Sequence, residues 1–286
     1  MNLTLGFSPC PNDTFIFHAL VEGRVSVPGV EFSERLEDVE TLNRLAREGV
    51  LDVTKVSYGA IPYLLDQYVL LRSGGALGRG CGPLLVARRE TTIEDLRGGR
   101  IAIPGRMTTA NLLLRLFGPS LPTGEEMLYS EIMPAVARGE VDAGLIIHES
   151  RFTYADHGLV CLVDLGEWWE RETGAPIPLG GILARRSLGE ERIRQIDEAL
   201  RRSVEHAFAH PADSDAYVRA HSQEMDPMVM RQHIGLYVNQ FSVELGAEGE
   251  LAVRELLRRA AAHGLAPEVT SPLTPRSPVA HPLSAP

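Results

Sequence analysis

The sequence predicts an α/β protein of two lobes with a ligand cleft between them. Short apolar segments alternate with amphipathic helical ones through most of the 286 residues, a pattern typical of parallel sheets covered by crossover helices. The chain also crosses twice between two such regions, and domain interfaces are preferred places for ligand pockets. A hydrophobic content of 44% is enough to fill the cores of such lobes.

The first lobe begins with strands that alternate with helices. The first helix is predicted at about residues 14–21, with Asp13 as its N-cap and Gly23 at its end. The second helix is predicted to end at Gly49. The predicted strands of this part cover residues 3–7, 30–35 and 52–57.

The second lobe is predicted at residues 89–179, so that the first comprises residues 1–88 plus 180–265. The helical segments from Gly189 onward are expected to pack back on the first lobe. Residues 266–286 carry six prolines and little periodicity, so we interpret them as a tail, with disorder as one reading. The second lobe's predicted strands cover residues 100–103 and 143–147, and its predicted helices cover residues 108–117 and 132–138.

Composition narrows the possible partners. The formal charge of −10 argues against nucleic acid, because binding phosphates needs a basic face, and a small anionic substrate is expected instead. The three cysteines have no metal or disulfide spacing, so free thiols in a reducing cytoplasm are expected. The start of the sequence does not resemble a secretory signal, and no apolar run approaches the roughly 18 residues of a membrane span.

A candidate anion site lies at residues 101–110, where a strand passes through a Pro-Gly turn into a helix. Backbone N–H groups at a helix start are unpaired and the helix dipole is positive there, which favours a carboxylate near Thr108, Thr109 and Ala110. Simple N-capping by threonine is an equally open interpretation.

Two further junctions of a strand with a helix carry polar groups. Lys55 and Ser57 lie towards the carboxyl end of the strand at residues 52–57, where ligands of open α/β sheets bind, although a solvated loop is the alternative. Residues 6–14 contain two prolines, which preorganise a loop. Cys10 within that loop is interpreted as a small buried residue.

His148 follows a very apolar strand, which would hold its imidazole rigidly at the cleft. Its ordinary pKa of about 6.5 suits a general base, and a structural histidine is the alternative. Dinucleotide, P-loop, hydrolase-elbow and zincin motifs are missing from the sequence. We therefore expect no cofactor and no metal, and either an enzyme or a binding protein.

Five segments together resemble the 1,4-dihydroxy-6-naphthoate synthases of the futalosine route to menaquinone. The resemblance runs from about residue 3 to residue 265. It implies a type II periplasmic-binding-protein-like fold and a carbon–carbon lyase that converts cyclic dehypoxanthinyl futalosine to 1,4-dihydroxy-6-naphthoate. The segments are SPCPNDTF at residues 8–15, TKVSY at 54–58, RSGGALG at 72–78, PGRMTTA at 104–110 and HESRFTY at 148–154.

The resemblance also assigns roles to residues. It implies that His148 abstracts a proton. It implies substrate contacts by Lys55, Val56, Ser57, Thr109 and Ala110, and it extends them to Ser8, Asn12 and Asp13. The alternatives are a solute-binding protein or sensor of the same fold, and chorismate dehydratase, a related enzyme.

Overall fold

The computed structural model describes residues 1–222 and 226–275. Its strands are β1 Asn2–Phe7, β2 Glu31–Leu36, β3 Val53–Ser57, β4 Tyr68–Leu70, β5 Ala76–Gly78, β6 Leu84–Ala87, β7 Ile101–Ile103, β8 Glu125–Glu126, β9 Ala143–Ile146, β10 Val160–Asp164 and β11 Ile177–Arg185. Its α-helices are α1 Pro11–Val21, α2 Val39–Arg47, α3 Thr109–Phe117, α4 Tyr129–Arg138, α5 Ser150–Thr153, α6 Leu165–Thr173, α7 Glu190–Ala209, α8 Asp215–His221, α9 Pro227–Tyr237, α10 Gln240–Val243 and α11 Gly246–Ala262. Short 3-10 helices lie at Tyr58–Tyr63, Asp95–Gly98, Tyr154–His157, Arg186–Leu188 and Pro211–Ser214.

The strands form two sheets, one in each lobe. The first runs in the order β2-β1-β3-β11-β4, with β5 also paired to β11, and the second in the order β10-β6-β9-β7-β8. Parallel pairs join β1 to β2 and β3, and β7 to β8 and β9, whereas β11 is antiparallel to its neighbours. The α/β class is thus confirmed, with mixed rather than parallel sheets.

The chain crosses between the sheets earlier than expected in both directions. Leu84–Ala87 pairs with β9 and β10 in the second sheet, so the first crossing precedes residue 84 instead of following residue 88. β11 already begins at Ile177 in the first sheet, so the return precedes residue 179. The later helices do pack on the first lobe, where α7, α8 and α9 contact α1.

Helix α1 begins three residues before the position that the sequence suggested. Its N-cap is Cys10 and its first residue is Pro11, whose missing N–H is not needed in a first turn. Asp13 is therefore not the N-cap. Its carboxylate is directed to polar groups in the cleft.

The proline-rich segment is partly integrated into the first lobe. The backbone N–H of Leu70 donates to the carbonyl of Leu273 at 2.8 Å, and the Leu273 side chain is 1% exposed. Arg72 donates to the Thr274 hydroxyl at 3.2 Å. The interpretation that the tail is disordered is therefore wrong for residues 266–275, and residues 276–286 lie outside the described part.

None of the described helices is long and apolar enough to cross a membrane.

Replacing Leu273 with alanine tests this packing. We expect Leu273→Ala to lower the free energy of unfolding by about 2–5 kcal/mol, since it empties a buried leucine site. Urea unfolding followed by circular dichroism measures the change. Leu251→Ala is the matched control, because Leu251 is 67% exposed. Equal stability of the two variants would contradict the packing.

Candidate active site

One cavity lies between the lobes and brings together nearly all the residues that the sequence singled out. Its walls include the ends of β1, β3 and β9 and the start of α3. The predicted residues that line it are Ser8, Asn12, Asp13, Lys55, Ser57, Thr108, Thr109, Ala110 and His148. The other lining residues are Val39, Ala76, Gly82, Pro83, Ile147, Leu179, Gly180 and Tyr237.

Val56 is the predicted residue that does not line the cavity. Successive side chains of a strand point to opposite faces, so Lys55 and Ser57 share the cleft face and Val56 takes the other. Its side chain is fully buried in the hydrophobic core beside Tyr58. The resemblance placed Val56 among the substrate contacts, and its side chain is not available for one.

A buried ion pair joins the first turn of α1 to β3. Lys55 Nζ lies 2.6 Å from Asp13 Oδ1, and both side chains are less than a tenth exposed. The same carboxylate accepts hydrogen bonds from the Ser8 hydroxyl at 2.8 Å, the Ser8 N–H at 3.2 Å and the Asn12 amide at 2.8 Å. Because its oxygens are satisfied, the carboxylate tolerates burial, and the lysine brings no unbalanced positive charge to the cavity.

Ser57 and its neighbours are held by a second polar group. The Asn43 side chain accepts from the Ser57 N–H at 2.9 Å and donates to the Ser57 hydroxyl oxygen and to Glu40, at 3.2 and 3.1 Å. Glu40 also accepts from the N–H of Met107 in the second lobe at 3.2 Å. Burial raises the pKa of Glu40, whereas its hydrogen bonds oppose that rise.

The start of α3 keeps backbone donors free for a ligand. Thr108 is the N-cap, and its hydroxyl accepts from the Asn111 N–H at 3.2 Å, so the capping interpretation holds for this residue. The Thr109 hydroxyl donates to the Leu179 carbonyl at 2.6 Å and accepts from the Gly59 N–H at 3.1 Å. Both threonine hydroxyls are thus engaged within the protein. Among the described residues, the N–H groups of Thr109 and Ala110 have no partner.

His148 lies directly beyond β9 with its backbone in the left-handed region, at φ 57°. This conformation is uncommon for a residue with a side chain, and such outliers cluster at functional sites. Its ring contacts Tyr129 edge-on at 5.1 Å and stacks on His233 at 6.1 Å between centroids. No described residue makes a hydrogen bond or ion pair with the ring. Burial lowers the pKa of His148 below 6.5, so the ring is neutral near pH 7.

Further titratable groups lie around His148, and sequence reasoning missed most of them. Glu149 is 8% exposed, and His233 and Tyr237 come from α9, far along the chain. Burial raises the pKa of the Cys10 thiol well above its usual value, which keeps the thiol protonated as expected of a buried cysteine. The signal that could have revealed Glu149 is its place beside His148 in the HESRFTY segment.

Three of these side chains have the donor types and spacing of a metal site. One ligand atom each of Cys10, His148 and Glu149 lies within 4.8 Å of the others. Thiolate, imidazole and carboxylate are the ligands that Zn²⁺ prefers, so these residues could hold such an ion. The sequence predicted no metal, and any assay of this site requires control of metal content.

Comparison with known proteins places the chain in a family. A family model described as menaquinone biosynthesis matches residues 3–262. The chain is 58% identical to the 1,4-dihydroxy-6-naphthoate synthase of Thermus thermophilus over 271 residues, covering 95% of this chain and 98% of the relative. It is 52% identical to the synthase of the same name from Streptomyces coelicolor, covering 93% and 95% of the two chains.

Solved structures show the same architecture. Protein AF1704 from Archaeoglobus fulgidus superposes with a TM-score of 0.86 at 37% identity, covering 92% of this chain and 98% of that one. The alkanesulfonate-binding protein SsuA from Xanthomonas axonopodis, bound to MOPS, gives a TM-score of 0.68 at 20% identity, covering 93% and 94%. The second likeness confirms the periplasmic-binding-protein-like fold. The chain itself belongs to the menaquinone biosynthesis family that includes the two 1,4-dihydroxy-6-naphthoate synthases.

Proposed function

We propose that this enzyme is the lyase that converts cyclic dehypoxanthinyl futalosine to 1,4-dihydroxy-6-naphthoate in the futalosine route, with His148 as its general base. The observation that carries the proposal is the neutral His148 ring, which lines the cavity without a hydrogen-bond partner among the described residues. A neutral imidazole whose ring nitrogens are not engaged in hydrogen bonds can accept a proton near pH 7. The names of the two relatives support the choice of product.

In the proposed step, the lone pair of a His148 ring nitrogen takes a proton from the substrate. The substrate retains the electron pair, which drives cleavage of a carbon–carbon bond and release of the sugar-derived fragment. Aromatisation of the second ring makes the cleavage favourable. This sequence of steps requires neither a metal nor a redox cofactor.

We place the substrate carboxylate at the start of α3. The free N–H groups of Thr109 and Ala110 and the positive end of the helix dipole support this position. Lys55 has further ammonium hydrogens besides the one directed to Asp13, and it lines the same cavity.

We expect the reaction to occur in the cytoplasm, which agrees with three unpaired cysteines.

Turnover by a His148 variant tests the proposed reaction and base. Purified protein is incubated with cyclic dehypoxanthinyl futalosine in the presence of a chelator, and 1,4-dihydroxy-6-naphthoate is followed by chromatography with mass detection. General-base catalysis contributes about 10²–10⁴-fold, so His148→Ala should lower kcat by that factor and leave substrate binding largely intact. His157→Ala is the matched control, because His157 is an exposed histidine of the same lobe.

The other outcomes of this assay separate the alternatives. Near-normal turnover by His148→Ala would exclude His148 as the base. Binding of the substrate without any product from the wild-type protein would favour a solute-binding protein or sensor. If the protein neither binds the substrate nor forms product, the same assay is repeated with chorismate, the substrate of the related dehydratase.

Substitution of Thr109 tests the placement of the carboxylate. Thr109→Val removes the hydroxyl that bonds to Leu179 and Gly59 across the lobes, so it should misplace the free N–H groups beside it and raise KM about tenfold. Thr109→Ser retains the hydroxyl and should keep KM near its wild-type value. A KM unchanged in Thr109→Val, measured by steady-state kinetics, would contradict this placement.

A further inference from the structure

We propose that Glu40 is a positioning residue that holds the start of α3 against the first lobe and so determines how tightly the enzyme binds the substrate carboxylate. This inference rests on the proposed function, because it uses the carboxylate position at Thr109 and Ala110. Glu40 is 7% exposed and does not line the cavity. It therefore acts through the backbone of the second lobe and not on the substrate itself.

The Glu40 carboxylate receives one donor from each lobe. Its Oε1 atom accepts from the Met107 N–H of the second lobe at 3.2 Å, and its Oε2 atom accepts from the Asn43 amide of the first lobe at 3.1 Å. A buried carboxylate needs such donors, because leaving water without them is unfavourable. Each oxygen of Glu40 therefore has its donor only while the two lobes are in contact.

The orientation of Asn43 explains why a carboxylate stands at this position. The Ser57 N–H donates to Asn43 Oδ1 at 2.9 Å, which leaves Asn43 Nδ2 as the donor towards Glu40. A glutamine has one acceptor oxygen and one amide nitrogen. If its oxygen accepted from one of the two donors, its nitrogen would face the other. Glutamate, with two acceptor oxygens, suits both donors.

Two glycines bring the lobes close enough for this contact. A methyl group on Gly105 would overlap the Cγ and Cδ atoms of Glu40, so the turn before α3 lies directly against that side chain. A methyl group on Gly59 would lie 3.0 Å from the Met107 carbonyl oxygen, which is closer than ordinary packing. Two separate parts of the first lobe thus hold the start of α3.

This contact determines where the anion-binding N–H groups lie. Met107 precedes Thr108, the N-cap of α3, and the unpartnered N–H groups of Thr109 and Ala110 follow within one turn. A shift of Met107 therefore moves these donors relative to Lys55, which lines the cavity from the first lobe. Hydrogen bonds weaken steeply when their geometry is poor. The affinity for the carboxylate should therefore depend on Glu40.

The first test is the hydrogen exchange rate of the Met107 amide without substrate. Glu40→Ala removes the acceptor of this amide, so its exchange, measured by nuclear magnetic resonance, should become about tenfold faster or more. Glu48→Ala is the matched control, because it removes an exposed carboxylate at the end of the same helix. An unchanged exchange rate in folded Glu40→Ala overturns the inference.

An interchange of the two side-chain types tests the geometry more sharply. Glu40→Gln sets a donor against the donor of Asn43, and Asn43→Asp sets an acceptor against an acceptor, so each alone should speed exchange of the Met107 amide. The double variant restores the pattern. Its new amide can accept from Met107 and donate to the new carboxylate, which still accepts from the Ser57 N–H. Exchange should return to near the wild-type rate, and fast exchange in the double variant contradicts the arrangement.

Kinetics and product binding provide the functional measurement. Glu40→Ala should raise both KM and the Kd of 1,4-dihydroxy-6-naphthoate, measured by calorimetry, about tenfold. We expect kcat to stay near its wild-type value, because His148 lies in another segment of the second lobe, beyond β9. A loss of stability alone would leave KM and Kd of the folded protein unchanged.

Gly105→Ala tests the same contact from the other lobe. Its added methyl group should displace the Glu40 side chain and raise the Kd of the naphthoate in the same way. Gly98→Ala is the matched control, because no atom lies within 4 Å of the position that its methyl group would take. Equal Kd values for these two variants overturn the inference, and this comparison decides the matter if Glu40→Ala does not fold.

The outcomes separate this inference from the proposed function. Faster exchange and weaker naphthoate binding in Glu40→Ala, without any turnover by the wild-type protein, support the role of Glu40 and reject the reaction. Normal wild-type turnover with KM and Kd unchanged in Glu40→Ala keeps the reaction and overturns the inference. A lower KM would mean that the negative charge of Glu40 chiefly repels the substrate, which also overturns it.

Discussion

The buried pair of Asp13 and Lys55 is the contact on which the arrangement of the site depends. It joins the first turn of α1 to β3, next to the point where the paired strands β1 and β3 place Ser8 and Ser57 at the same end of the sheet. Asn12 extends this group to His233 on α9, which ties the helical part of the chain to the same edge. Removal of one charge would leave the other buried without a partner, which is strongly unfavourable. The polar side of the cleft is thus fixed as one unit.

Much of this arrangement could be predicted from local pattern. The sequence pattern located β1, β3, β7 and β9 within a residue or two, because each is a short and largely apolar segment bounded by polar or turn residues. Three different rules then selected cleft residues: the strand-end rule for Lys55, the free N–H groups of a helix start for Thr109, and the end of an apolar strand for His148. Val56 entered the predicted contacts because the resemblance covered a whole segment, whereas strand alternation turns its side chain into the core.

What could not be predicted depends on contacts between distant parts of the chain. Aspartate is a common N-cap residue, which is why Asp13 was predicted as one. In the structure the helix begins earlier, at Pro11, and the Asp13 carboxylate binds Lys55 in the cleft. His233 lies in a helix with no catalytic motif, and only the fold places it behind His148. The proline-rich segment lacks any period of its own, yet its Leu273 side chain is buried and its Leu273 carbonyl accepts from the Leu70 N–H, a contact between distant parts of the chain.

The fold alone does not distinguish a catalyst from a binding protein, because both need two lobes and free N–H groups for an anion. Two features of the small lobe bear on this choice. His148 is held in a left-handed backbone conformation, and the neighbouring Glu149 has a buried carboxylate oxygen without a donor among the described residues. Both features are unfavourable in the resting protein, and unfavourable features of this kind cluster at functional sites. The anion-binding start of α3 would serve a catalyst and a binding protein equally, so the experiments that separate the two must address the surroundings of His148.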